Sequence, residues 1–161
     1  MRSLSFRSFA TLLIGVTIGV AGSAAAQVGL RFLNPAGLYD ASKYYSHVAI
    51  APPGTTIYIA GQIGVNADRS IVGPDKAAQV RRAFANLRTA IEAAGAQPKD
   101  VVKINVYSVN HVDGDLAVIG AESQALFGGG PLPASTLVPT PRLAAEGLLF
   151  EIDAVAVLPG R

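Results

Sequence analysis

The sequence predicts a single α+β domain ordered β-β-α-β-α-β-β, a mixed sheet with two helices packed on one face. Three observations carry this. Residues 75 to 94 place apolar side chains at helical spacing, and a second stretch, 113 to 127, ends on three glycines. Around them lie five short runs rich in β-branched residues and bounded by turn signals. A chain of 161 residues has room for one such domain and a short appendage.

Taken in order, residues 27–44 are loop-like, punctuated by Asn34-Pro35 and Gly37. Ser46 to Ala51 reads as a strand stopped by Pro52-Pro53-Gly54, with Thr56 to Ala60 as its antiparallel partner. In the first helix Ala78, Val80, Phe84, Leu87, Ile91 and Ala94 share a face, Pro74 precedes the start and Gly95 follows the end. Val101 to Val109 alternates as a strand. The second helix spans about Asp113 to Phe127, and Ala134 to Val138 and Leu148 to Val157 complete the sheet. Strands this apolar would leave the helix-free face a hydrophobic patch on a monomer, so a homo-oligomer burying that face is expected.

Residues 1–26 read as a signal peptide. Arg2 and Arg7 precede an apolar run, and Ala24-Ala25-Ala26 forms a small-residue cleavage pattern with Gln27 as the mature start. The alternative is an uncleaved membrane anchor, since residues 8–26 carry no charge. The cleavage pattern favours a periplasmic or secreted domain spanning 27–161. Without Arg2 and Arg7 the 11 remaining basic residues balance the 11 acidic ones, so nothing in the composition supports a nucleic-acid partner. Cysteine is absent, which excludes thiol nucleophiles, zinc–thiolate sites and disulfides.

Catalytic signatures are scarce. His47 reads as a hydrogen-bonded strand residue and His111 as a helix-entry residue. Neither has a partner at metal-ligand spacing, so no metal and no cofactor is expected. The 128–130 glycine run follows a helix rather than preceding one, which puts the wrong end of the dipole toward a phosphate. Glu151 stands out as an acid in an apolar strand, on the same face as Asp153. It is either satisfied by water or a cation at the sheet rim, or retained for proton transfer.

Six segments in order resemble the RidA/YjgF reactive-intermediate deaminase family. They are Tyr45-Ser46-His47, Ile57 to Ile63 around Gly61-Gln62, Val80 to Gly95 with Asn86-Leu87, Asp100 to Lys103, Pro133 to Thr136, and Phe150 to Ala154. The resemblance implies a chorismate-mutase-like homotrimer with small-molecule pockets between subunits, and hydrolysis of enamines or imines to a carbonyl compound and ammonia. It assigns a catalytic role to Glu151 and substrate contacts to Tyr45, Gly61 and Ser135. It also exposes departures. Ser135 stands where the family's carboxylate-clamping arginine is expected, Ala60 where a serine is, Gly120 where many relatives carry asparagine, and Leu137 where a smaller residue is common. A hydroxyl cannot give the bidentate, charge-assisted grip of a guanidinium. Arg142 is a loop cation downstream that reads as a surface residue. Two functions stay open: a deaminase of altered substrate range, and a non-catalytic small-molecule-binding module on the same trimeric scaffold.

Overall fold

The computed structural model describes residues 29–160, so the signal-peptide expectation lies outside the described residues. The chain forms β1 (Arg31–Leu33), β2 (Val48–Ile50), β3 (Gly54–Ile63), α1 (Lys76–Ala93), β4 (Val101–Val109), α2 (Asp115–Phe127), β5 (Ala134–Thr140) and β6 (Phe150–Pro159). The main sheet runs β3-β6-β4-β5; β6 is antiparallel to both β3 and β4, and β5 is parallel to β4 across the α2 crossover. This is the α+β class expected.

One pairing differs. The expected hairpin of residues 46–51 with 56–60 does not form: β2 pairs antiparallel with the unforeseen β1, and β3 pairs with β6. The turn at Pro52-Pro53-Gly54 is real, but the apolar alternation of β6 offers β3 a ten-residue partner that the three residues of β2 cannot match. Ser46 meets the main sheet through an isolated bridge to Ala134 at the start of β5, its hydroxyl donating to the Leu132 carbonyl at 2.6 Å.

The helix α1 begins where Asp75 accepts from the Ala77 and Ala78 N–H groups at 3.2 and 3.0 Å. It ends at Gly95, whose φ of +75° lets Ala96 N–H reach back to the Ile91 carbonyl. Its buried stripe, Val80, Ala83, Phe84, Leu87 and Ile91, packs on Phe150, Ile152, Ala154 and Ala156 of β6, with Phe84 and Phe150 stacked 6.0 Å apart. Ile119, Leu126 and Phe127 of α2 join the same core.

The helix-free face is more polar than the strand composition suggests. Beside the exposed Tyr58, it carries Lys103, Asn105 and Tyr107 of β4 and Glu151, Asp153 and Val155 of β6, all half-buried, so it is not the purely apolar patch expected.

Candidate active site

The four residues singled out in the sequence fall into two groups on opposite faces of the sheet. Glu151 pairs with Tyr107 across β6 and β4, whereas Ser135 pairs with Ile104 across β5 and β4. Tyr107 and Ile104 are an odd number of residues apart, so their side chains point to opposite faces. Two strand spacings and three residues of rise separate Glu151 from Ser135 by roughly 14 Å along the sheet.

On the open face Gly61 and Glu151 meet. The β3–β6 register slips between Ile59 and Gln62, and this bulge brings the Gly61 backbone under the acid. A Cβ at position 61 would overlap the Glu151 carboxylate as it stands, so a larger residue there would push that side chain aside. The neighbouring acid is differently placed. Asp153 accepts from Asn105 Nδ2 at 2.9 Å and from the Tyr107 hydroxyl at 3.4 Å. Burial, reinforced by these two acids, holds the Tyr107 phenol protonated above its ordinary pKa. Lys103 is pushed the other way: burial lowers its pKa, against the pull of Asp153. Asp153 is thus a structural acid, while Glu151 has no side-chain hydrogen bond among the described residues and keeps its lone pairs available.

On the helix face Tyr45 and Ser135 line a cavity of about 490 Å³ between α2 and the β4–β5 floor. Ile104 and Val106 of β4, Leu137 of β5, Leu116, Ile119, Gly120 and Ser123 of α2, and Tyr39 and Tyr44 of the preceding loop complete it with Thr136. Among the described residues, no charged side chain lines it. Three of the four positions that the sequence resemblance marks as departures, Gly120, Ser135 and Leu137, line this one cavity, while Ala60 lies on β3 outside it. Tyr39, Tyr45 and His47 pack edge to face, with centroids 5.1–6.4 Å apart, and the Tyr39 and Tyr45 hydroxyls are hydrogen-bonded. That hydrogen bond raises the Tyr45 pKa. His47 is tied to the Tyr39 carbonyl through Nε2 at 2.9 Å, in keeping with a structural role.

Arg142 lies away from this cavity. It lines a separate hollow of about 400 Å³ with Glu146, Leu143 and Leu148, its Nε donating to the Leu143 carbonyl at 3.4 Å.

Tyr45 was expected at the site, but the contribution of Tyr39 and Tyr44 to the cavity was not read from the sequence. Three of the chain's five tyrosines fall within residues 39–45, which was the available signal. On α2, Leu116, Ile119 and Ser123 share a face by their i, i+3 and i+4 spacing, marking the wall. A further cluster also escaped the sequence reading. Asp115 receives Lys76 Nζ at 2.7 Å, the Val112 N–H at 3.0 Å and the Ser108 hydroxyl at 3.4 Å, with His111 Nδ1 3.2 Å away. All converge on one carboxylate oxygen, so this is a helix-start clamp rather than a nucleophile–base relay.

Comparison with known proteins bears on this arrangement. A family model described as Endoribonuclease L-PSP, the RidA/YjgF family, matches residues 38–158. The chain belongs to that family. Among its RidA/YjgF relatives, the 2-iminobutanoate/2-iminopropanoate deaminase of Escherichia coli K12 is 36% identical over 106 residues, covering 65% of this chain and 80% of the relative. The enzyme of the same name from Dermatophagoides farinae is 32% identical over 107 residues, with coverage of 65% and 80%. Among solved structures, a Rid-family protein of Yersinia pestis superposes with a TM-score of 0.77 at 37% identity, covering 81% of this chain and all of that one. The Escherichia coli YjgF product gives 0.56 at 33% identity, with coverage of 70% and 87%.

Proposed function

We propose that this RidA/YjgF-family chain hydrolyses imines or enamines to a carbonyl compound and ammonia, with a substrate range that does not depend on a carboxylate clamp. The observation that carries the reading is Glu151, a half-buried acid over the Gly61 bulge with no side-chain hydrogen bond among the described residues, beside an Asp153 already occupied. Its relatives are named as imine deaminases. In this reading Glu151 accepts a proton from water as its oxygen adds to the imine carbon. It then returns that proton to the nitrogen as the carbinolamine collapses.

The two groups of residues lie on opposite faces, so one chain does not place Glu151 over its own cavity. We therefore propose that the site is composite. Gly61 and Glu151 of one copy face the mouth of the Tyr45–Ser135 cavity of another, which makes a closed homo-oligomer, a trimer as the resemblance implies, part of the chemistry. We further propose that residues 1–26 direct export to the periplasm or beyond. Recovery of a mature N-terminus at Gln27 from the exported protein supports this, and an intact N-terminus in the cytoplasmic fraction overturns it.

The test of the function is ammonia and keto-acid release from 2-iminopropanoate. Weak turnover is expected from the wild type, with a gain on Ser135→Arg, because a desolvated charged contact is worth roughly 2–5 kcal/mol. Rapid wild-type turnover, equal to that of an arginine-bearing relative, overturns the reasoning about the clamp. Undiminished activity of Glu151→Gln removes the acid from the mechanism and leaves the binding-module reading.

A further inference from the structure

We infer that the cavity between α2 and β5 selects neutral imines bearing an aryl or branched-alkyl group, and that Gly120 sets the size of the group it accepts. This rests on the imine-hydrolase reading and adds the substrate class.

The cavity itself carries the argument. At about 490 Å³ it falls within the range of pockets that enclose drug-sized molecules, and a three-carbon imino acid would leave much of it unfilled. Its floor and far wall are Ile104, Val106, Leu116, Ile119 and Leu137. The polar atoms available are hydroxyls, chiefly those of Tyr45, Ser123 and Ser135. Hydroxyls can hold an imine nitrogen or a carbinolamine oxygen by hydrogen bonds. They do not neutralise a carboxylate, and an anion taken from water into such a lining goes unpaired. The exposed rings of Tyr39 and Tyr44 give the cavity an aromatic rim, which complements the edge or face of an aryl group.

Gly120 supplies an independent observation. It lies inside α2, where glycine is a poorer helix former than alanine. A Cβ built there meets nothing within 4 Å, and its φ is not in the left-handed region. Neither a close neighbour nor a strained backbone calls for glycine. What the missing side chain leaves is open volume in the cavity wall.

The chemistry needs no co-reactant. Water oxygen bonds to the imine carbon and a proton passes to nitrogen, giving a carbinolamine. The C–N bond then breaks with its electron pair leaving on ammonia, so that R–CH=NH and H2O give R–CHO and NH3.

The experiment uses the full chain with two substrates generated in situ: phenylacetaldimine, by oxidation of 2-phenylethylamine, and 2-iminopropanoate, by oxidation of alanine. A kcat/KM at least about tenfold higher for the aryl imine is expected, falling at least about tenfold in Gly120→Leu. Binding of acetophenone, a neutral carbonyl with no imine to hydrolyse, is titrated in parallel by tyrosine fluorescence. It should weaken by a similar factor in Gly120→Leu and less in Gly120→Ala, whose Tm should rise and so exclude misfolding. Preference for 2-iminopropanoate, or equal acetophenone affinity in wild type and Gly120→Leu, overturns the inference. Acetophenone binding that depends on position 120 without turnover of either imine sinks the hydrolase reading and keeps the ligand class. Turnover of 2-iminopropanoate without acetophenone binding does the reverse.

Discussion

Gln79 ends the first turn of α1 and is wholly buried, yet its amide is fully used. Nε2 donates to the Gly73 and Gly147 carbonyls at 2.9 and 2.8 Å, and Oε1 accepts from the Leu149 N–H at 2.8 Å. One side chain thus ties two loops to a helix. Gln79→Ala leaves three backbone groups without partners. At roughly 1–3 kcal/mol for each unsatisfied group, and with water able to enter beside the loop carbonyls, the net loss should be about 3–5 kcal/mol. That is a large part of the ~5–15 kcal/mol that holds a domain folded. Gln79→Glu separates the polar term from the volume term. Its ionised carboxylate still serves Leu149 but faces two carbonyls, so the protonated form, which can donate to one of them, is favoured. The folded pKa is then raised above the ordinary ~4.3. A group raised in this way contributes stability below its unfolded pKa and loses it as pH rises through the folded value. The Glu variant should therefore lie nearest the wild type at about pH 4 and furthest at about pH 8. Urea denaturation at fixed protomer concentration measures both effects. An Ala variant within about 1 kcal/mol of wild type, or a Glu variant whose deficit ignores pH, refutes the reasoning.

Two further outcomes follow from the same geometry. Burial raises the pKa of Asp115, but the Lys76 hydrogen bond, the Val112 N–H and the charges of Lys76 and His111 outweigh it and hold the carboxyl below 3.8. Its contribution is present above that value and lost as pH falls through the depressed folded pKa. Asp115→Ala should accordingly cost roughly 3–5 kcal/mol at neutral pH, and less in strong acid, as read by denaturation across pH. Gly61→Ala should displace the Glu151 carboxylate and reduce imine turnover at least about tenfold, with circular dichroism unchanged in shape; full activity would detach the bulge from the site.

The helix α1 was legible because its stripe and its flanking residues are local signals: Pro74, the Val80–Ile91 stripe and Gly95 stand where the sequence puts them, and the Asp75 cap, which was not read, sits between Pro74 and the first turn. The alternation of β6 likewise placed Glu151 and Asp153 on one face. Strand partnership was less legible. Pro52-Pro53-Gly54 announces a turn, but which strand satisfies Thr56 to Ala60 is decided about a hundred residues away by Ala154 to Val157. The site was legible as residue types and not as a place. Tyr45 and Ser135 share a cavity, and Gly61 and Glu151 share a bulge, but only the three-strand register separates the two pairs. The role of Gln79 as a clamp on two loops needs neighbours at positions 73, 147 and 149 that no local pattern reveals.

The crossover that makes β5 parallel to β4 also organises how this protein can change. The cavity's floor and its helical wall come from one continuous stretch, residues 101–140, while the acid arrives on a later strand facing the other way. On the proposed reading, substitutions on the helix-facing side of that stretch, at Ile104, Val106, Gly120, Ser135 or Leu137, reshape what is admitted without touching the Glu151 side chain of the same copy. Recognition and reactivity would then rest on different strands of one chain.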